Sequence, residues 1–251
     1  MLNLSSKKVL VTGGSRGIGA ACVKYFCMAG ASVAFTYKSS SAIATKIEKR
    51  YSKISCCKGY KVDIEKEEEI KDSIAQITKD FGKIDILVNN AGIWKEGKIN
   101  KISLAQWEET LKINLTSIFL FTKYVVPSMK LKRSGKIINV SSTAGQRGEA
   151  DYSHYAASKG GIISFTKSLA SELGQYNINV NCVAPGWVLT NMSEKTLSNK
   201  KTFEEEIKKI PLRRIASADD IAGPVLFLAS ELSRHVNGEI LNVNGGSVLV
   251  G

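Results

Sequence analysis

The chain has 251 residues, 43% of them hydrophobic and 23% charged, with a formal net charge of +12. That is enough chain to bury one sizeable core, while no apolar run approaches the roughly 18 residues a membrane span needs. The lysines are spread along the sequence instead of gathering in an arginine-rich arm, which argues against nucleic acid and leaves two readings, a solvated surface or long-range attraction for an anionic ligand or acidic partner.

The first predicted strand, KKVLVTG (7–13), starts so early that no secretory leader is expected ahead of it. It runs into TGGSRGIG (12–19), where Gly13, Gly17 and Gly19 precede a helix that begins near Ile18. Glycines let a backbone turn sharply and approach a pyrophosphate, which then sits at a helix N-terminus, so Gly13, Ser15, Arg16, Gly17, Ile18 and Gly19 are candidate dinucleotide contacts. The spacing departs from GxGxxG, having three residues and then one between glycines. Five cysteines (Cys22, Cys27, Cys56, Cys57 and Cys182) lack metal-ligand spacing, and the expectation is a reduced, cytoplasmic protein without a metal site.

The second strand, ASVAFTY (31–37), ends at Tyr37 and Lys38. An acid there would pair with the ribose 2′-hydroxyl of NAD, whereas a cation accommodates the 2′-phosphate of NADP. The missing acid, Lys38 and nearby Arg16 therefore predict NADP(H). After the third strand, GYKVD (59–63), Asp63 has two equal readings, a helix N-cap or an adenine contact. A helical segment, 64–82, leads to the fourth strand, IDILVNNAG (84–92), whose small end residues Asn90, Ala91 and Gly92 let a cofactor pass.

The fifth strand, GKIINVSS (135–142), places Ser142 at its tip. Next comes DYSHYAASKGG (151–161), in which Tyr155 and Lys159 are four residues apart on one predicted helix face. Taken alone, that pair is an ordinary set of helix neighbours. His154 beside it reads as pocket lining or surface. The sixth strand, NINVNCVAPG (177–186), ends at Pro185 and Gly186, and the last is GEILNVNGG (238–246). Seven short apolar strands alternating with helices predict a single doubly wound α/β domain, a seven-stranded parallel sheet covered on both faces. Ligands of such sheets bind outside the carboxyl ends of the strands, so the polar, helical segment 186–216 is placed to cover a site.

The ordered set TGGSRGIG, NNAG, the asparagine of KINLTS (112–117), Ser142, YAASK and APG resembles the classical short-chain dehydrogenase/reductase family over nearly the whole chain. The resemblance implies a Rossmann-type fold and a catalytic set of Asn114, Ser142, Tyr155 and Lys159. It also implies that Lys159 holds the nicotinamide ribose and tunes Tyr155, that Asn114 holds a water linked to Lys159, and that Val188 and Thr190 meet the carboxamide. A free tyrosine, with a pKa of about 10, is a poor acid–base group near neutrality, and a neighbouring cation favours its phenolate. Within the family, PLRRIASADDIAGPVLFLASELSRHVNGEILNVNGG (211–246) is similar to 3-oxoacyl-[acyl-carrier-protein] reductases, with Asn244 where an aspartate is usual. Reduction of a carrier-bound 3-oxoacyl thioester in fatty acid synthesis, a homotetramer and an acyl carrier protein partner are the expectations that follow. Lys132 and Arg133 are then candidate docking cations near the site mouth, with Tyr176 where a second cation is usual. Trp94, Ser142, Gln146 and Trp187 are candidate substrate contacts. Reductases of sugars, steroids, quinones or other small ketones share much of the pattern, and a non-catalytic nucleotide-binding regulator remains the alternative from another class.

Overall fold

In the computed structural model, which describes residues 2–250, the first two apolar runs become β1 (Lys8–Val11) and β2 (Ser32–Tyr37), joined by α1 (Gly17–Met28). The next crossovers give α2 (Ser41–Tyr51), β3 (Cys57–Lys61), α3 (Glu67–Phe81) and β4 (Ile86–Asn89). Helix α4 (Leu104–Leu111) passes through a π-helical turn, Lys112–Thr116, into α5 (Ser117–Lys132), which leads to β5 (Gly135–Val140). The second half adds α6 (Thr143–Arg147), α7 (Ser153–Leu173), β6 (Ile178–Pro185), β7 (Val188–Leu189), α8 (Glu194–Leu197), α9 (Lys200–Lys209), β8 (Ala216–Ser217), α10 (Ala218–Leu228) and β9 (Ile240–Val243).

Seven strands form one parallel sheet in the order β3-β2-β1-β4-β5-β6-β9, as the alternation of strand and helix predicts. Successive side chains of a strand face opposite ways, and each strand here feeds two cores. Val9, Val11, Val33, Phe35, Ile86 and Val88 pack with Val23 and Phe26 of α1 and with Val225 and Leu228 of α10. Leu10, Ala34 and Leu87 face the other way, toward Ile70 and Ile74 of α3 and Phe121 and Val125 of α5. Burial on both faces explains why the strands read as continuous apolar runs.

Strand order reverses between β1 and β4, and a crevice opens there beyond the carboxyl ends of the strands. The segment 186–216 folds as a flap with an apolar cluster of its own, Leu197, Ile210 and Ile215 against Trp187, Phe203 and Ile207. A two-stranded parallel pairing, Val188 with Ala216 and Leu189 with Ser217, ties its two ends together. That small sheet has no counterpart in the sequence reading, because two-residue strands carry no periodicity to detect. Among the described residues no helix is long and apolar enough to cross a membrane.

Candidate active site

A cleft of about 310 Å³ follows the crevice and is lined from one end to the other by predicted residues. At its nucleotide end lie Gly13, Ser15, Arg16, Gly17, Ile18, Tyr37 and Lys38, and along its floor Asn90, Ala91, Gly92, Ser142, Tyr155 and Lys159. Pro185, Gly186, Val188 and Thr190 line the side under the flap, with Trp94 and Trp187 at the far end.

The Gly-rich turn is shaped by backbone contact. Gly13 has φ +66°, and a Cβ on it would lie 3.1 Å from the Ala91 Cα. Gly19 does not line the cleft; a Cβ there would meet the Gly13 carbonyl oxygen at 2.2 Å, so its role is to let α1 start hard against the turn. The Thr12 hydroxyl accepts from the backbone N–H of Asn90 (2.9 Å) and Ala91 (3.0 Å), while the Asn90 side chain donates to the Thr12 carbonyl (2.9 Å). These bonds weld the ends of β1 and β4 into one rim. No side chain caps α1 and its first turn holds no acid, so a 12-residue helix presents free N–H groups to the cleft. That cradle fits the pyrophosphate of a dinucleotide.

Tyr155 and Lys159 sit one turn apart on α7, both buried, with the ammonium 5.7 Å from the phenol ring centroid. Lys159 Nζ donates to the Val140 carbonyl (2.9 Å). Ser142 caps α6, its hydroxyl oxygen accepting from Ala144 N–H (3.1 Å), which leaves its own proton free for another acceptor. Burial pushes the Tyr155 phenol up to about 12, with the Ser142 hydroxyl working the other way, and pushes the Lys159 ammonium down to about 8. Burial thus moves both groups toward their neutral forms, and the lowering of the phenol by the cation that the resemblance leads one to expect is not seen in this state. A phenol at about 12 is fully protonated at neutral pH, the form a proton donor needs.

Asn114 is wholly buried in the π-helical turn and stands behind the cleft lining. Its side chain accepts from Ile93 N–H (2.8 Å) and donates to the Ile93 carbonyl (3.0 Å) and to Ser158 Oγ (3.1 Å). It thus fastens the loop segment following Gly92 to α7, the helix that carries Tyr155. Helix α6 is held even closer to α7: a Cβ on Gly145 would lie 2.5 Å from the carbonyl carbon of Lys159. Nothing in the local pattern around Gly145 signals that contact.

Four expectations need correction. Gln146 does not face the cleft; its amide donates to Asn242 Oδ1 of β9 (2.6 Å). Asp63 neither caps α3, which starts four residues later, nor lines the cleft, and it pairs with Lys38 at 3.0 Å. His154 is fully buried against Gly97 and is neither lining nor surface. Lys132 and Arg133 precede β5 and so lie at the opposite end of the sheet from the cleft, about 20 Å along a six-residue strand. Lys132 is bound to the buried Asp85, and the Arg133 guanidinium donates to the Gln175 carbonyl (2.8 Å).

The far end of the cleft joins the expected Trp94 and Trp187 to residues the sequence reading missed, Tyr152, Arg147, Glu149 and Glu206. Trp94 stacks on Tyr152 (centroids 4.5 Å, 5°) and meets Trp187 edge-on (5.6 Å, 88°), while the Trp187 indole donates to Glu206 Oε2 of α9 (2.7 Å). Three aromatic rings from three separate segments thus form one wall, tied to the flap. Arg147 and Glu149 line the cleft beside it, and burial raises the Glu149 carboxyl. The polar run GQRGEADYSHY marks the stretch that contributes them.

Comparison with known proteins bears on this arrangement. A family model described as "Enoyl-(Acyl carrier protein) reductase" matches residues 13–247. The 3-oxoacyl-[acyl-carrier-protein] reductase of Aquifex aeolicus is 40% identical over 98% of each chain. The chain belongs to the short-chain dehydrogenase/reductase family. The 3-oxoacyl-[acyl-carrier-protein] reductase of Vibrio cholerae is 39% identical over 99% of this chain and all of its own, and the nodulation protein G of a Rhizobium species 36% over the whole of both. Members of this family are oxidoreductases.

One consequence concerns pH. Were Tyr155 to act as a proton donor, the Lys159 ammonium would stabilise the phenolate left behind, help that is present below about pH 8 and lost above it. The expected kcat/KM for carbonyl reduction is level from pH 6 to 7.5 and falls with a slope near −1 above about pH 8. A profile flat to pH 9.5 would show that the ammonium does not act in this way.

Proposed function

We propose that this protein is an NADPH-dependent 3-oxoacyl thioester reductase that takes its substrate on acyl carrier protein. What carries this reading is the buried Tyr155–Lys159 pair on the cleft floor, set between an uncapped helix N-terminus and an apolar, aromatic end, in a chain so similar to reductases of that name. When bound, the dinucleotide supplies the hydride. The remaining work falls to residues of this chain. Gly13, Ser15, Gly17 and Ile18 would hold the pyrophosphate, Arg16 the 2′-phosphate side, and Asn90, Ala91 and Gly92 the path between. Pro185, Gly186, Val188 and Thr190 would keep the nicotinamide against the floor, and Lys159 would bind its ribose. Ser142 donates to the substrate carbonyl oxygen, and Tyr155 gives that oxygen a proton as negative charge develops on it. Asn114 positions, through Ile93 and Ser158, the two segments that frame this step. The flap, residues 186–216, would exclude water, and Trp94 and Trp187 would bound the acyl group.

The test is NADPH oxidation with a 3-oxoacyl thioester, free and carrier-bound, against a panel of simple ketones, sugars and quinones. The expected result is the highest kcat/KM on the carrier-bound thioester, with NADPH bound more tightly than NADH. Turnover of a sugar or quinone but not of the thioester would move the substrate to another branch of the family. Turnover of none would favour a nucleotide-binding regulator.

The partner and the assembly belong to the same reading. Since Lys132 and Arg133 are engaged at the far edge, an acidic carrier would have to meet cations elsewhere, of which Arg147 at the cleft mouth has no ion pair among the described residues. All five cysteines are free, as a reducing cytoplasm requires. β9 is the edge strand of the sheet with all four residues half-buried, and with the apolar α10 it would form a two-fold interface in a homotetramer. Light scattering at micromolar concentration is expected to give four times the chain mass, and a monomer there would contradict the assembly.

A further inference from the structure

The nucleotide end of the cleft contains a charge arrangement that changes the meaning of Lys38. Arg16, Tyr37, Lys38, Ser39, Ser40 and Glu65 are among the residues that line that end. Lys38 Nζ lies 2.5 Å from Glu65 Oε1 and 3.0 Å from Asp63 Oδ1. Arg16, by contrast, is exposed and makes no ion pair among the described residues. Counting formal charges, Arg16 and Lys38 give +2 while Asp63 and Glu65 give −2, so this corner is neutral overall. A 2′-phosphate brings negative charge to it. To use Lys38, that phosphate must draw the ammonium from two carboxylates, one of which, Glu65, shares the cleft wall with it. Asp63 stands outside the lining, so the repulsion across the cleft comes chiefly from Glu65.

We propose that Glu65 is a specificity-determining residue: it holds Lys38 back from the ribose 2′-phosphate and opposes that phosphate directly, leaving Arg16 as the main group that separates NADPH from NADH. The inference rests on the NADP(H) reading above. Its electrostatic basis is ordinary. The Lys38–Glu65 pair is half-exposed, with side-chain accessibilities of 58% and 27%, and such pairs contribute little to folding, so the substitutions leave the fold intact. Screened nearly as in bulk water, a charge a few ångströms from a phosphate is still worth about a factor of ten in affinity.

The experiment is a set of direct titrations of NADPH and NADH, read by quenching of Trp94 and Trp187, which line the same cleft. In Glu65→Gln, the NADPH Kd is expected to fall about tenfold with the NADH Kd unchanged. Lys38→Gln is expected to cost NADPH less than threefold in the parent and about tenfold in the Glu65→Gln background, a coupling that a double-mutant cycle isolates. Arg16→Gln is expected to cost at least tenfold in either background. A Kd ratio unmoved by Glu65→Gln, or an equal cost of Lys38→Gln in both backgrounds, would overturn the role of Glu65. The parent's own ratio tests the NADP(H) reading separately: tighter NADH there would end that reading, whatever Glu65→Gln does.

Discussion

Tyr155→Phe is expected to lower turnover by about 10³-fold, within the range a positioned general acid supplies, while the NADPH Kd stays within about twofold. The reasoning rests on what the substitution leaves in place. The ring is buried in α7 and its packing does not depend on the hydroxyl, so the helix and the Lys159 ammonium anchored on the Val140 carbonyl should stay where they are. What disappears is, among the described residues, the only phenolic proton on the cleft floor beside Ser142. Ser142 cannot take over the transfer, since a serine hydroxyl is a far weaker acid than a phenol. Single-turnover rates at saturating NADPH measure the loss directly. A variant retaining more than a tenth of the parent rate would show that another group delivers the proton.

The second large effect is expected from a residue without functional atoms. Gly145→Ala should reduce turnover by about 10²-fold, the scale on which a displacement of about 1 Å at a reacting centre is felt. Alanine is the better helix former by roughly 0.5–1 kcal/mol, so local propensity alone predicts a gain in stability. The geometry predicts the reverse. The new methyl would lie 2.5 Å from the Lys159 carbonyl carbon and 2.8 Å from the Gly160 nitrogen, and since both are backbone, helix α6 and helix α7 must part. Ser142 caps one of those helices, and Tyr155 and Lys159 ride on the other. A lower Tm together with a fall in kcat larger than any change in NADPH affinity is the expected signature. A variant with parent kcat and a raised Tm would show that the helices have slack there.

Much of this was legible in the sequence, and the exceptions share a cause. The inner strands were readable because burial on both faces makes them continuous apolar runs, and the Gly-rich turn because its glycines follow the first of them. Tyr155 and Lys159 were readable as neighbours because helix periodicity sets them one turn apart. What could not be read is decided by partners distant in the chain. Gln146 finds Asn242, 96 residues away, and Lys132 finds Asp85, 47 residues away. Lys38 looked like a free cation until the turn after β3 brought Asp63 and Glu65 against it. The resemblance set Lys132 and Arg133 near the site mouth, yet the whole of β5 separates them from the cleft in space.

The pairing of α1 with α10 bears on how the protein is made. Lys24 of α1 donates to Asp219 of α10 (2.9 Å), and Ala21, Val23 and Phe26 share a core with Ile221, Val225 and Leu228. The helix that opens at the Gly-rich turn is therefore flanked by residues that leave the ribosome some 200 positions after it. A nascent chain carrying only the first half exposes that side of α1 to water, and its nucleotide cradle lacks one wall. That wall is supplied by residues 185–193, and a chain that stops before residue 218 still leaves the side of α1 uncovered, a sticky intermediate for chaperones and proteases to handle.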